Sequence, residues 1–254
     1  MRILMYHEVT DQQPEELHAV SKAAFAAQMR WLRAAGYQTV ALADWLMAAS
    51  GARLRLTGKP IIITFDDGYR DNYTNAWPIL AELGFSATIF LVTGRMGQTS
   101  DWRPGGLGAA PLLTWAEARE LAAGGIRFGS HTVNHINLNA APPAVVDQEL
   151  RGSRADLQQA LGGAVEHLAY PYNRFNSQVK NIAQQAGYRT ACACPTGYVG
   201  VANRDPYDLR RITVLASDQL GDFAAKVRGD WPRRLAWYRR VFSAWRRRPL
   251  GARA

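Results

Sequence analysis

Short apolar stretches alternate with helical patterns along most of this chain, and this alternation constrains its fold more than any other feature. Strands that are separated by helices pair in parallel, because each helical connection crosses back over the sheet. The predicted strands are 2–6, 38–41, 60–65, 86–92, 126–130, 166–170, 188–194 and 210–215. At 254 residues, this pattern favours a single α/β domain built as a barrel, with an open parallel sheet as the alternative.

The helical patterns carry recognisable signals at their ends. Thr114 and Glu117 form a capping box that opens a helix over 115–123. The pattern over 71–83 contains Pro78, which is predicted to kink the helix because proline lacks the backbone N–H. The remaining predicted helices are 21–35, 42–50, 145–161 and 177–186.

Two adjacent carboxylates, Asp66 and Asp67, end the apolar run 60–65. Buried charges are costly unless they are compensated, and either a metal ion or a shared proton would compensate this pair. Farther along, His131 and His135 follow another apolar stretch. One aspartate and two histidines make a set of three metal ligands, and the second aspartate is then free to act as a base.

The polar candidates share one position relative to the predicted strands. His7, the aspartate pair, His131 and the dipeptide 171–172 each follow the C-terminal end of a strand. In a (β/α) barrel this end forms the catalytic face. The pattern therefore predicts that these side chains meet at one rim.

The stretch 93–111 is long, irregular and rich in glycine, and it contains Asp101 and Trp102. Long loops in compact domains are usually functional or disordered. Trp102 on the catalytic face would stack on a sugar ring, whereas a plain surface loop is the alternative. Asp101 and Trp102 are therefore candidates for substrate binding.

Three motifs resemble those of the polysaccharide deacetylase family, the NodB-homology group of carbohydrate esterase family 4. They are 64–68 (Thr-Phe-Asp-Asp-Gly), 130–135 (Ser-His-Thr-Val-Asn-His) and 169–172 (Ala-Tyr-Pro-Tyr), and the resemblance spans about 2–214. It implies an irregular (β/α)7 barrel. It also implies a divalent metal, usually zinc, that is bound by Asp67, His131 and His135.

The resemblance further implies hydrolysis of an N-acetyl group on a carbohydrate, with Asp66 as the general base. The metal and a backbone N–H at Tyr172, within the turn that Pro171 opens, would stabilise the oxyanion. The products would be acetate and a free amino sugar. The rival hypotheses are removal of another acyl group, such as formyl, from a lipid-linked amino sugar, and a catalytically silent carbohydrate-binding barrel.

The chain departs from the common family pattern in two places. Ala169 stands where an arginine usually orients the base, and no histidine follows 209–214 to act as the general acid. With both departures the chain resembles the branch of poly-N-acetylglucosamine deacetylases, which act on a bacterial cell-surface polysaccharide. In that branch the general-acid histidine comes from the first strand. His7 matches that acid. Arg210 or Arg211 could replace the missing arginine, and Arg211 is also a candidate for substrate binding.

Positive charge is concentrated at the C-terminus. Of the formal net charge of +9, nine Arg and one Asp in 228–254 contribute +8. We therefore divide the chain into a barrel, 1–227, and an Arg/Trp-rich extension, 228–254. An amphipathic helix in the extension suits an anionic membrane surface, and a helix that packs on the barrel is the alternative. Nucleic-acid binding is not favoured, because the rim lacks a matching basic pattern.

The remaining signals concern location and redox state. The first residues are typical of a β-strand rather than a secretory signal, and no apolar run is long enough to cross a bilayer. We therefore expect a cytoplasmic protein, peripheral on the inner membrane if the extension binds lipid. The two cysteines, Cys192 and Cys194, are expected to be buried thiols. Because the chain has no other cysteine, a zinc site made of cysteines is excluded. His18 and His167 have no partner pattern and are expected to be structural or surface residues.

Overall fold

A parallel β-barrel surrounded by helices is the architecture of this chain. The computed structural model describes residues 1–11, 17–102, 109–194 and 203–229. Within them the strands are β1 (Arg2–Tyr6), β2 (Glu8–Thr10), β3 (Ala19–Ser21), β4 (Tyr37–Thr39), β5 (Lys59–Phe65), β6 (Thr88–Leu91), β7 (Arg127–Ser130), β8 (His167–Ala169), β9 (Thr190–Ala193), β10 (Leu209–Arg210) and β11 (Ile212–Thr213). The α-helices are α1 (Lys22–Ala34), α2 (Leu42–Ala49), α3 (Trp77–Glu82), α4 (Trp115–Ala123), α5 (Pro143–Leu161), α6 (Ser177–Gln185) and α7 (Leu220–Arg228).

The main sheet runs in the order β10-β9-β8-β7-β6-β5-β1-β11, and β4 also pairs with β5. β10 pairs with β9 and β11 pairs with β1, so the single segment 209–213 joins both edges of the sheet. All of these pairings are parallel. The predicted α/β barrel is therefore confirmed.

The last predicted strand, 210–215, differs from the structure in an informative way. It is two short strands that are separated at Arg211, where pairing passes from β9 to β1. The Arg211 side chain is 2% exposed, and its guanidinium lies over the ring of Phe90 at 5.6 Å. Barrel closure therefore places a buried arginine directly between two paired dipeptides.

The segment predicted as one kinked helix over 71–83 is instead two elements. A π-helical turn, Asn72–Ala76, precedes α3, and Pro78 falls in the first turn of α3. The Trp77 N–H donates to the carbonyl oxygen of Asn72, so the change from π-helical to α-helical spacing lies directly before Pro78. The helix predicted over 71–83 is thus interrupted by a π-helical turn just before Pro78, and the kink itself stays a prediction. The prediction of a capping box was right, since Glu117 N–H donates to Thr114 Oγ1 and Thr114 N–H donates to Glu117 Oε2.

The small sheet β2–β3 was missed, because each of its strands has three residues and too little pattern to recognise. Its two strands pair in parallel with each other, and β2 begins directly after His7, the residue that follows β1. His7 therefore lies between the end of β1 and this separate sheet.

Two further expectations concern the thiols and the C-terminus. Cys192 is buried and Cys194 is half-buried, and both are free thiols. The amphipathic helix predicted in the extension lies outside the described residues, which end at 229, and it stays a prediction together with the domain boundary at 227. In the part of the chain that is described, no helix combines the length and the apolar character that a membrane span needs.

The tight contact between β7 and β6 gives a test of the fold. A Cβ added at Gly129 would lie 2.6 Å from Cδ1 and Cε1 of Phe90 and 2.9 Å from the carbonyl oxygen of His167. We expect Gly129→Ala to lower the free energy of unfolding by about 1–3 kcal/mol, measured by urea denaturation. Gly221→Ala in α7 is the control, because its Cβ would meet nothing within 4 Å. Equal stability of the two variants would contradict this packing.

Candidate active site

Three side chains from two strand ends converge at the C-terminal rim of the barrel. Asp67 follows β5, whereas His131 and His135 follow β7. Asp67 Oδ1 lies 3.2 Å from His131 Nε2 and 3.2 Å from His135 Nε2. One ligand atom from each residue lies within 4.8 Å of the other two, and all three residues are buried. The structure therefore brings together the three predicted metal ligands.

The donor chemistry of this cluster fits a divalent cation. His131 Nδ1 lies 2.8 Å from the carbonyl oxygen of Ala169, which fixes the ring so that Nε2 is the nitrogen that faces Asp67. Burial alone would raise the pKa of Asp67, but the charge of His135 and hydrogen bonds from both imidazoles hold that pKa well below its usual range. A carboxylate that is ionised at neutral pH, together with two imidazole nitrogens, is a set of ligands that suits a divalent ion such as zinc.

Asp66 is held in a different environment from its neighbour. Arg211 donates from Nη1 to Asp66 Oδ1 and from Nη2 to Asp66 Oδ2, each at 2.6 Å, and both side chains are buried. Burial would raise the pKa of Asp66, but the charge and hydrogen bonds of Arg211 bring it below the ordinary value. Arg211 is also anchored by a hydrogen bond from Nη1 to Thr64 Oγ1, at 3.2 Å.

The contacts of Arg210 and Arg211 show which of the two is the partner of Asp66, a choice that the sequence left open. Arg210 is exposed, and its Nη2 lies 3.6 Å from Asp208. Arg211 instead lies beneath Asp66, because the strand break turns it into the barrel. Because Arg211 is buried, it offers no surface to a saccharide. The structure therefore favours Arg211 as the partner of Asp66 and not as a substrate-binding residue.

His7 follows β1 and is positioned by the π-helical turn. Asn72 Nδ2 donates to the carbonyl oxygen of His7 at 2.8 Å, and Asn75 Nδ2 donates to that of Val9 at 2.7 Å. The imidazole of His7 lies against that of His18, with ring centroids 4.7 Å apart. Burial, followed by the charge of His7, lowers the pKa of His18 to about 3, so His18 is neutral at physiological pH. The expectation that His18 is structural left its contact with His7 unrecognised.

Trp102 and Tyr172 both contact the ring of His135. Trp102 stacks on it at 4.3 Å between centroids with an interplanar angle of 23°, and Tyr172 meets it edge-on at 4.6 Å. Trp102 Nε1 also donates to Asp67 Oδ2 at 3.2 Å. The tryptophan predicted to stack on a sugar thus contacts two of the predicted metal ligands. Asp101 points elsewhere, because its carboxylate pairs with Arg95 at 2.7 Å.

The loop between the two histidines is fixed by Glu149 on α5, a residue that the sequence analysis missed. Glu149 Oε2 accepts the N–H groups of Val133 and Asn134, each at 2.9 Å. Its Oε1 accepts Asn134 Nδ2 at 2.6 Å. Glu149 occupies the buried face of α5 together with Val146, Leu150, Ser153 and Leu157. A carboxylate at a core position of an amphipathic helix needs buried donors, and this signal in the sequence could have revealed it.

Left-handed backbone conformations cluster around the site. Among the described residues, the non-glycine residues with positive φ are Asp67 (71°), Thr132 (68°), His135 (55°), Tyr172 (56°) and Asn173 (55°). Each of them follows the C-terminal end of β5, β7 or β8. Such conformations are costly for L-residues and persist where the surrounding structure enforces them, most often at functional sites. Pro171 opens the turn Pro171–Asn173 that carries Tyr172.

Comparison with known proteins now places the chain in a class. The family model for polysaccharide deacetylases matches residues 53–191, and the chain belongs to this family. It is therefore an enzyme of the carbohydrate de-N-acetylase class, as the sequence motifs predicted.

Individual relatives agree with this assignment. The chain is 31% identical over 214 residues to the protein YxkH of Bacillus subtilis, which covers 84% of this chain and 70% of that protein. It is 24% identical over 206 residues to a poly-beta-1,6-N-acetyl-D-glucosamine N-deacetylase of Staphylococcus aureus, covering 78% of this chain and 68% of the relative.

Solved structures share the same fold. The deacetylase PplD of Streptococcus pyogenes, in complex with acetate, superposes with a TM-score of 0.78 at 28% identity, covering 89% of this chain and 97% of that one. IcaB from Ammonifex degensii superposes with a TM-score of 0.75 at 23% identity, covering 91% and 95%. The similarity to IcaB concerns the barrel fold alone.

The Glu149 contacts predict a specific loss of stability. In Glu149→Gln one acceptor oxygen becomes an NH2 group, which faces either two backbone N–H groups or the Asn134 amide. We expect the free energy of unfolding to fall by about 1–3 kcal/mol, because buried donors lose their acceptor. Chemical denaturation measures it, and Glu82→Gln on the exposed face of α3 is the matched control. Equal denaturation midpoints and equal m-values for the two variants would contradict the role of Glu149 in stabilising the loop between the histidines.

Proposed function

We propose that this chain is a metal-dependent hydrolase that removes N-acetyl groups from an amino sugar or an N-acetylated saccharide and releases acetate. One observation carries the proposal: of two adjacent carboxylates, Asp67 joins both imidazoles and Asp66 is held apart from them by Arg211. This division supports one carboxylate as ligand and the other as base. Asp67, His131 and His135 would hold a divalent ion, by our proposal Zn2+, which when bound supplies Lewis acidity toward water and the acyl carbonyl oxygen.

The residues around this cluster account for the proton transfers. Asp66 is ionised at neutral pH, because Arg211 holds its pKa below the ordinary value, and it takes a proton from the attacking water. The oxygen of that water adds to the acyl carbon. As the C–N bond breaks, His7 donates a proton to the departing amine, which leaves acetate and the free amino sugar.

The turn Pro171–Asn173 supports a place for the oxyanion. Tyr172 has a positive φ, and its ring packs against His135, so the turn that carries its backbone N–H is held against the cluster. A fixed N–H donor stabilises developing negative charge without reorganisation. Burial raises the pKa of the Tyr172 phenol to about 12, so that side chain stays neutral during the reaction.

Arg211 supplies the guanidinium that the common family pattern takes from position 169. Its two parallel hydrogen bonds fix both the orientation and the charge of the Asp66 carboxylate, a geometry that lysine cannot reproduce. Thus Ala169 does not indicate decay of the active site. The backbone carbonyl of Ala169 still contributes by orienting His131.

Acyl release and metal retention together test the proposed function. Acetate and formate are quantified from N-acetylated and N-formylated glucosamine oligomers, with metal content measured on the same samples. We expect acetate release that is abolished by a chelator and restored by Zn2+. In Asp66→Asn, release should fall by about 10³-fold or more with metal retained, because the base is lost and the ligands are intact.

The same assay defines the results that would overturn the proposal. Asp67→Asn is the matched neighbour, in which both metal and activity should be lost. Metal retention without release of either acid from the wild-type protein would support a silent carbohydrate-binding barrel. Formate release alone would assign a deformylase, and chelator-resistant acetate release would exclude metal dependence.

A second prediction distinguishes the role of Arg211 from that of Arg210. Arg211→Lys keeps the positive charge but loses the paired hydrogen bonds to Asp66, and we expect kcat to fall by about 10–100-fold with KM unchanged. Arg210→Lys is the control and should match the wild type, because Arg210 is exposed. A raised KM with unchanged kcat in Arg211→Lys would instead indicate substrate binding.

A further inference from the structure

We infer that Trp102 is a positioning residue for the metal site, which restricts Asp67 to a single ligand oxygen and caps the ring of His135. The inference rests on the proposed function, because it assumes that Asp67, His131 and His135 hold a divalent ion. It replaces the expectation that Trp102 stacks on a sugar.

The two oxygens of Asp67 have different partners. Oδ1 faces both imidazoles, at 3.2 Å from each Nε2, whereas Oδ2 accepts the indole N–H of Trp102 at 3.2 Å. The indole N–H is a donor without acceptor capacity, so Asp67 Oδ2 is the acceptor in this contact. An ion held at Oδ1 therefore leaves Oδ2 to Trp102, and the carboxylate cannot turn to offer both oxygens without breaking that bond.

The indole ring adds a second constraint on the same site. It lies over His135 with 4.3 Å between centroids, and the edge contact with Tyr172 at 4.6 Å restricts the ring from another direction. His135 needs this support, because its Nδ1 is buried and has no hydrogen-bond partner among the described residues. His131 differs, since the carbonyl of Ala169 fixes its ring. Stacking by Trp102 thus fixes the ring of His135, just as the hydrogen bond to Ala169 fixes the ring of His131.

The backbone before Trp102 is held firmly enough to place the indole. Thr99 pairs with Pro111 in an antiparallel bridge, and the Ser100 N–H donates to the carbonyl oxygen of Ala110 at 2.9 Å. Ser100 is 1% exposed, and its Oγ accepts the Ala110 N–H at 3.2 Å. The Trp102 ring also packs against the buried cluster of Tyr69, Ala110 and Leu112. These contacts pin the chain two residues before the tryptophan.

Two substitutions distinguish the contribution of the indole N–H of Trp102 from that of its ring. Trp102→Phe keeps an aromatic ring over His135 but removes the N–H, and Trp102→Ala removes both. Partners of this kind typically change metal affinity 10–100-fold. We expect the Kd for Zn2+, measured by competition with a chromophoric chelator, to rise about 10-fold in Trp102→Phe and about 100-fold in Trp102→Ala.

A spectroscopic measurement reports on Asp67 directly. In the Co2+-loaded protein, a carboxylate released from Trp102 can bind through both oxygens, and the higher coordination number lowers the visible absorption. We expect this loss of intensity in Trp102→Phe and no change in Trp77→Phe. Trp77 is the matched control, because its ring stacks on Tyr73 and it lies outside the predicted ligand set. Thermal unfolding of each apo-protein separates these effects from a general loss of stability.

The possible results separate this inference from the proposed function. Failure of the wild-type protein to bind Zn2+ or Co2+ would overturn the proposed metal centre itself. Wild-type binding with unchanged Kd and unchanged Co2+ spectra in both Trp102 variants would overturn the role of Trp102 alone. A raised KM for saccharide with unchanged metal affinity would restore sugar stacking.

Discussion

The site depends on how two adjacent carboxylates at the end of one buried strand are compensated. Asp66 and Asp67 cannot both stay ionised in a barrel interior without separate partners. Asp66 is paired with a guanidinium, whereas Asp67 faces two imidazole nitrogens and accepts an indole N–H. The side chains of consecutive residues therefore have different chemical environments, and this difference underlies the proposed roles of base and ligand.

Barrel closure and chemistry are linked through Arg211. The segment 209–213 must pair with β9 on one side and β1 on the other, and the residue between the two pairings is the one that reaches Asp66. Loss of this arginine would leave a buried carboxylate without its counter-charge, which typically costs several kcal/mol. The same contact thus supports the closed fold and orients the proposed base.

The sequence predicted the barrel and the convergence of Asp67, His131 and His135, because strand ends and ligand types are local properties. It did not predict contacts that depend on distant pairings. The sequence left Arg210 and Arg211 as alternative partners of Asp66. Arg211 faces Asp66 because the strand breaks there, and that break depends on pairing with both β9 and β1. Likewise, the helical pattern around Glu149 indicates only a need for buried donors, and no local pattern identifies the partners of Glu149 or Trp102.

By our proposal, a bound ion lies at Asp67 and not between the two aspartates. Anomalous diffraction at the zinc edge, on crystals of the Zn2+-loaded protein, measures this directly. We predict one peak at about 2.0–2.2 Å from Asp67 Oδ1, His131 Nε2 and His135 Nε2, with Asp66 still paired to Arg211. A peak bridged by both aspartates, or an Arg211 displaced from Asp66, would contradict the division of roles.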